Sequence, residues 1–185
     1  MVGAVAEIGR LAGVATPYVD TMYAILRRLA QKTGIPVVNT FMGKGVLPMD
    51  DEFCLFTLGL QAKDYINHAF SAVDVVMTVG YDLVEYSPHF WNAKKDKEII
   101  HIDFLPAEID HYYTVAVDVV SDIADALWQI NMKLEHDHAR DLPLHDIGKW
   151  QKLRSQILGQ LLVLQRIDLG VRIRARKRDD DTQLR

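Results

Sequence analysis

Four short runs of apolar, mostly β-branched residues constrain the fold of this chain most: 35–40 (IPVVNT), 73–80 (VDVVMTVG), 98–104 (EIIHIDF) and the shorter 115–120. The first two read as strands buried in a parallel sheet. Residues 60–72 read as a helix between them. Residues 81–96 are irregular, with Pro88 and several aromatics, and 106–112 form a turn or one helical turn. Strand, crossover, strand, crossover predicts an α/β fold. The expected form is a doubly wound, parallel, Rossmann-like three-layer sheet.

Helical patterns flank this unit. Residues 4–12 predict a short helix. Thr16 and Pro17 then mark a helix start, with Thr16 as cap and Pro17 where its missing N–H costs nothing. Tyr18, Met22, Ile25 and Leu29 recur on one face, Arg27, Arg28, Gln31 and Lys32 lie elsewhere, and Gly34 stops the helix. Ser121 is the expected cap of a helix reaching about Met132, with Asp122 at its positive end. Beyond Leu134 the polar stretches HDHAR and DLPLH read as linker, followed by a helix over 146–164. The predicted organisation is a helical segment at 1–33, an α/β domain at 34–134, linker and helix at 135–171, and a charged, disordered tail at 172–185.

Composition narrows the function classes. The chain has 185 residues, 49% of them apolar, enough for one domain with appended helix. The net charge of −4 is too mild to point to a class of partner. The tail carries RIRARKR, but the adjacent DDD opposes it and no aromatics interleave, so no nucleic-acid partner is expected. Cys54 is the sole cysteine, which excludes an internal disulfide. No run approaches the ~20 apolar residues of a membrane span. The N-terminal stretch carries Glu7 and Arg10 and does not read as a signal peptide, so the expected location is the cytoplasm.

Three features at strand ends carry candidate chemistry. The loop Thr40-Phe41-Met42-Gly43-Lys44-Gly45 directly follows a strand, where ligands of parallel sheets bind. Its glycines allow close backbone approach and Lys44 can meet a phosphate, yet the loop is neither a Walker motif nor a dinucleotide fingerprint. A tight solvated turn is the competing reading. Gly80-Tyr81-Asp82 suits a nucleotide edge or ribose, or simply a tight exit from the strand. Asp103 is placed to accept from ribose hydroxyls or to cap the turn before Pro106. His101 reads as a core histidine, since no serine, cysteine or acid forms a persuasive catalytic set with it. His136, His138 and His145 lack the spacing of a structural zinc site, so no metal ligands are expected. Tyr86, His89, Phe90, Trp91 and Trp128 read as packing groups, and the stretch from Tyr86 to Trp91 covers the sheet end or meets another domain.

The stretches GIPVVNTFMGKGVLP, VDVVMTVGYDLVEYSPHFWN and EIIHIDFLPAEIDHYY resemble, in order and separation, the central domain of the thiamine-diphosphate-dependent acetolactate synthase family. The likeness covers residues 33–132. It implies a six-stranded parallel sheet that binds the adenine nucleotide part of FAD in some members and nothing in others. The GYDLVEY wording is closer to members without bound flavin. Thiamine diphosphate and Mg2+ are served by neighbouring domains in this family, which also hold the catalytic glutamate. Carried over by position, the cofactor-binding candidates are Met42, Gly43, Lys44, Gly80, Tyr81 and Asp103, with no catalytic residue. The family's first strand and its glycine-rich exit loop are expected before residue 20 and are not found there. Residues 2–31 instead resemble the C-terminal helices of ketopantoate reductase, without that enzyme's cofactor domain.

The resulting expectation is a non-catalytic unit, a fragment or fusion with a structural or vestigial nucleotide-binding role. One alternative is a subunit of an acetolactate synthase-like enzyme completed by partner chains that supply the missing synthase domains. The other is a stand-alone binder of an adenine nucleotide or nicotinamide. A homo-oligomer is the remaining partner expectation, because an open sheet edge seeks cover.

Overall fold

A computed structural model describes residues 8–9, 11–59, 66–136 and 148–157. The first long helix, α1, spans Pro17–Thr33 and buries Ile25, Leu29 and Ala30. Gly34 ends it with φ 68°, and its amide donates to the Ala30 carbonyl. This left-handed C-cap is the role expected of that glycine. Thr16 departs from expectation. Its hydroxyl donates to Asp20 Oδ2 at 3.2 Å and makes no cap to the backbone.

Strand β1 is Val37–Asn39 and strand β2 is Cys54–Thr57, paired in parallel. β2 was not predicted. Its apolar run follows acidic residues directly and is only four residues long, with no alternation to mark it. Its register slips against β1, and Phe56 takes φ 69° there, as in a bulge. Helix α2 is the short Asn67–Phe70. It is the part of the helix expected at 60–72 that is observed; residues 60–65 lie outside the described residues. Strands β3 (Val75–Val79), β4 (Glu98–Asp103) and β5 (Val115–Val120) form a second parallel sheet in that order. A single 3-10 turn, Pro88–Phe90, interrupts the irregular crossover. Helix α3 spans Ile123–His136, longer than expected. Its cap is Asp122 rather than Ser121, since Asp122 Oδ1 accepts from the Asp125 amide at 2.9 Å.

The expected α/β class holds, with parallel strands throughout. The strands form two sheets, β1-β2 and β3-β4-β5. β1 and β3, expected as buried strands, are only partly covered, and Val75 is 52% exposed. Among the described residues each is an outer strand of its own sheet, with a ladder neighbour on one edge only.

Helix α1 serves both sheets. Ile25 and Leu29 pack with Ile102, Ala126 and Leu127, bordered by Met77, Val79, Ile100 and Val119. Ala30 packs with Leu47, Phe53 and Cys54, and Leu26 borders both clusters. The buried Asn131 amide of α3 donates to Ile25 O and Leu127 O, each at 3.1 Å. Arg28 and Lys32 both meet Glu135 across the α1–α3 seam. Helices α1 and α3 therefore cover one face of the three-stranded sheet. The other face carries α2 and an aromatic layer, in which Phe70 lies 5.4 Å from Trp91 between ring centroids. Ahead of β2, Asp51 accepts from Arg27 Nε at 2.8 Å, from Tyr23 OH at 3.3 Å and from the Phe53 amide at 3.0 Å.

The remaining expectations fall partly outside the described residues. Residues 8, 9, 11 and 12 are helical, and so are 148–157. The linker at 137–147 and the tail at 172–185 lie outside. Contacts divide the chain into units Met1–Trp150 and Gln151–Arg185. Among the described residues, no helix is long and apolar enough to cross a membrane.

Candidate functional site

The carboxyl ends of β1, β3 and β4 place the sequence-derived candidates, as parallel-sheet geometry requires. Met42, Gly43 and Lys44 follow β1, Gly80 and Tyr81 follow β3, and Asp103 is the last residue of β4.

The β1 loop is shaped from within. Asn39 is buried, and its amide nitrogen donates to Leu47 O at 2.8 Å, spanning the whole loop. Thr40 Oγ1 accepts from the Gly43 amide at 3.0 Å. A Cβ at Gly43 would lie 3.1 Å from that oxygen, so the tight turn favours glycine. The Met42 amide donates to the carboxylate of Glu85, which belongs to the loop after β3. Lys44 is exposed.

Gly80 has φ 59°, and its amide donates to Ile102 O at 3.0 Å. A Cβ there would lie 3.2 Å from Ile123 Cδ1. Both facts account for a glycine at this exit without a ligand. Tyr81 turns into the aromatic layer. Its hydroxyl donates to Tyr86 O and accepts from Trp91 Nε1 at 3.1 Å. Burial pushes this phenol well above the ordinary tyrosine range. The Asp103 carboxylate accepts from the Leu105 amide at 3.2 Å, and Asp82 accepts from Val84 in the same way at 2.8 Å. Both are self-capping turns, the second of the two readings of Asp103.

Beneath the crevice lies a polar cluster that the sequence reading left unconnected. Thr78 and His101 are partners in the β3–β4 register. Tyr113, from the turn before β5, places its hydroxyl 2.6 Å from Thr78 Oγ1 and 2.8 Å from His101 Nδ1. Two proton arrangements satisfy all three groups. In one, Thr78 donates to Tyr113, which donates to a His101 that carries its proton on Nε2. In the other, His101 Nδ1 donates to Tyr113, Tyr113 to Thr78, and Thr78 to Ile100 O at 3.3 Å. Burial raises the Tyr113 hydroxyl to about 12, against the opposing hydrogen bond from Thr78. His101 is thus a satisfied core histidine, as expected. A lone threonine in one apolar strand and a lone histidine in the next were the available signals.

A flavin or other adenine nucleotide needs amide donors and positive charge for its phosphates. Here the Met42 and Gly43 amides serve Glu85 and Thr40, and a carboxylate reaches into the loop where a phosphate would lie. The residues in this arrangement do not fit a nucleotide diphosphate. Among the described residues, no group of three or more His, Cys, Asp or Glu is placed to hold a metal ion. His138 and His145 lie outside those residues.

Comparison with known proteins places this geometry. The family described as thiamine pyrophosphate enzyme, central domain, matches residues 13–130, a span that includes α1. The acetolactate synthase of Bacillus subtilis (strain 168) is 37% identical over 136 residues, which are 71% of this chain and 24% of that protein. The chloroplastic acetolactate synthase of Arabidopsis thaliana is 36% identical over 127 residues, covering 68% of this chain and 19% of that protein. The acetolactate synthase large subunit of Porphyra purpurea is 28% identical over 139 residues, 72% of this chain and 22% of that protein. The chain spans 19–24% of the length of these relatives.

Proposed function

The chain belongs to the family of thiamine pyrophosphate enzyme central domains, and on that premise we propose that it acts as a non-catalytic structural unit of an acetolactate synthase-like, pyruvate-condensing enzyme. The observation that carries this reading is the internal use of the crevice. Every sequence-derived contact except Lys44 is engaged by the fold itself: amides by Thr40, Glu85 and Ile102, the Tyr81 hydroxyl by Trp91, and Asp103 by its own turn. Nucleotide binding is then an ancestral property of the crevice. Thiamine diphosphate and Mg2+ belong to other domains in this reading.

The test is a calorimetric titration of the purified chain with thiamine diphosphate plus Mg2+, together with an assay of pyruvate consumption. The expected result is no heat of binding and no turnover. Saturable thiamine diphosphate binding by this chain would sink the proposal.

A second reading is a subunit completed by other chains. It is supported by exposed apolar groups at the β4 exit and on α3: Phe104, Leu105, Ile109, Trp128 and Met132. Reconstitution with chains carrying the thiamine-binding domains would restore turnover under this reading and leave it absent under the first.

A further inference from the structure

We propose that Glu85 is a built-in occupant of the nucleotide crevice, holding the Met42 amide in place of a ligand phosphate and so keeping anionic nucleotides out. The inference rests on the ancestral-crevice reading above and deepens it, because it names what closes the site.

Geometry comes first. β1 and β3 belong to different sheets, so no ladder of hydrogen bonds joins their carboxyl ends. The bond from the Met42 amide to Glu85 spans that gap. Side chains converge at the same place. A Cβ on Gly59, after β2, would lie 3.6 Å from Tyr86 Cδ2 and 3.9 Å from Phe41 Cβ. The loops after β1, β2 and β3 therefore meet around Glu85. The backbone holds Glu85 in position. Its amide donates to Asp82 O at 3.1 Å, and the next residue, the buried Tyr86, accepts from Asn67 Nδ2 at 3.0 Å.

Charge points the same way. A backbone amide in the loop after a parallel strand is the kind of donor that phosphates use. A carboxylate is the side chain that imitates phosphate most closely, as an anionic oxygen acceptor. Once seated, Glu85 satisfies the donor and repels a second anion. Asp82 and Asp103, at neighbouring strand ends, add the same sign, and Lys44 alone among the candidates opposes them. A nucleoside diphosphate must therefore break an internal bond and enter against like charge. Adenosine, which has no phosphate, does not compete for the Met42 amide and carries no like charge, so it meets neither obstacle.

The experiment titrates the full chain with ADP and, separately, with adenosine. Glu85→Ala empties the seat. Glu85→Gln keeps an oxygen for the Met42 amide and removes the charge. The expected result is ADP affinity at least ~10-fold higher for Glu85→Ala than for the unsubstituted chain, a gain of about 3-fold for Glu85→Gln, and no gain for adenosine in either. Equal ADP affinity in all three proteins overturns the proposal, as does an equal gain for adenosine. Near-UV circular dichroism checks folding. Where Glu85→Ala does not fold, Glu85→Gln decides by the same comparison. Thiamine diphosphate binding to the unsubstituted chain would overturn the functional reading alone, leaving the ADP comparison to judge Glu85.

Discussion

The two faces of the β3-β4-β5 sheet solve the same burial problem with different chemistry. On the α1–α3 face, Ile25, Leu29, Ile102, Ala126 and Leu127 form an apolar cluster, and the one buried amide beside it, Asn131, bonds to the backbone carbonyls of Ile25 and Leu127. Ion pairs from Arg28 and Lys32 to Glu135 stay at the rim. On the opposite face, Thr78, His101 and Tyr113 share hydrogen bonds, and Tyr81, Trp91 and Phe70 pack around them. The apolar face gains from area and tolerates changes of shape that conserve volume. The polar face gains little net energy per bond, yet each member lost leaves a partner unsatisfied. The first face supplies stability, and the second fixes how the turn before β5 sits on the sheet.

The largest effect tests the apolar face. Leu127 is fully buried between α1, α3 and β4, and Leu127→Ala leaves a cavity there. The expected loss is about 3 kcal/mol, read from urea unfolding with an unchanged slope. A loss below about 1 kcal/mol would show that this face collapses onto the gap and is not the main store of stability.

Tyr113→Phe tests the polar face. It removes the shared hydroxyl while keeping the ring, and the expected loss is about 2 kcal/mol. The same residue gives a pH signature. Burial raises the folded Tyr113 hydroxyl to about 12 from the ordinary tyrosine value of 10.0, so the unfolded chain releases its proton first. Stability from this group is full below pH 10 and is lost as pH rises through the folded value. Tyr81 shifts in the same direction. Base-induced unfolding followed by tyrosinate absorbance is expected to show a shallower pH dependence in Tyr113→Phe. An unchanged dependence would separate Tyr113 from alkaline stability.

Gly80→Ala tests the junction where the sheet meets α3. It imposes a left-handed conformation on alanine and brings a Cβ to 3.2 Å from Ile123 Cδ1. The expected loss is about 1 kcal/mol, read as a lower thermal midpoint.

The smallest effect belongs to the rim of the apolar face. Hydrogen bonds from Lys32 and Arg28 hold the Glu135 carboxyl below the usual range. Its contribution is present above the ordinary carboxylate pKa and is lost as pH falls through the lowered folded value. Glu135→Gln is expected to leave the neutral-pH midpoint nearly unchanged, because the carboxylate and its two cationic partners remain partly exposed and screened. A large shift there would move the α1–α3 seam from apolar packing to charge.

The residues announced much of this fold, for identifiable reasons. The runs at 73–80 and 98–104 contain β3 and β4, and that at 115–120 matches β5, because β-branched apolar runs have few other stable uses. β1 lies within 35–40 for the same reason. Gly34 declared its cap, since a left-handed helix end favours glycine. β2 escaped because four apolar residues carry no period, and its partner β1 is set by the whole sheet. Ser121 and Asp122 are adjacent cap-competent residues, and only the path of the chain into α3 decides that Asp122 serves.

The candidate site divides along the same line. By itself the sequence determined that Met42, Gly43, Lys44, Gly80, Tyr81 and Asp103 stand at or near strand ends, because a parallel sheet sends its exit loops to one edge. It also determined membership of the family through three ordered motifs. Tertiary structure alone decided what these groups touch. Met42 meets Glu85 from 43 residues away, and Thr78 meets Tyr113 from 35 away. Local pattern carries no information about such pairs. They exist because packing on α1 brings two sheets and their loops together, and buried donors must then find acceptors within the fold.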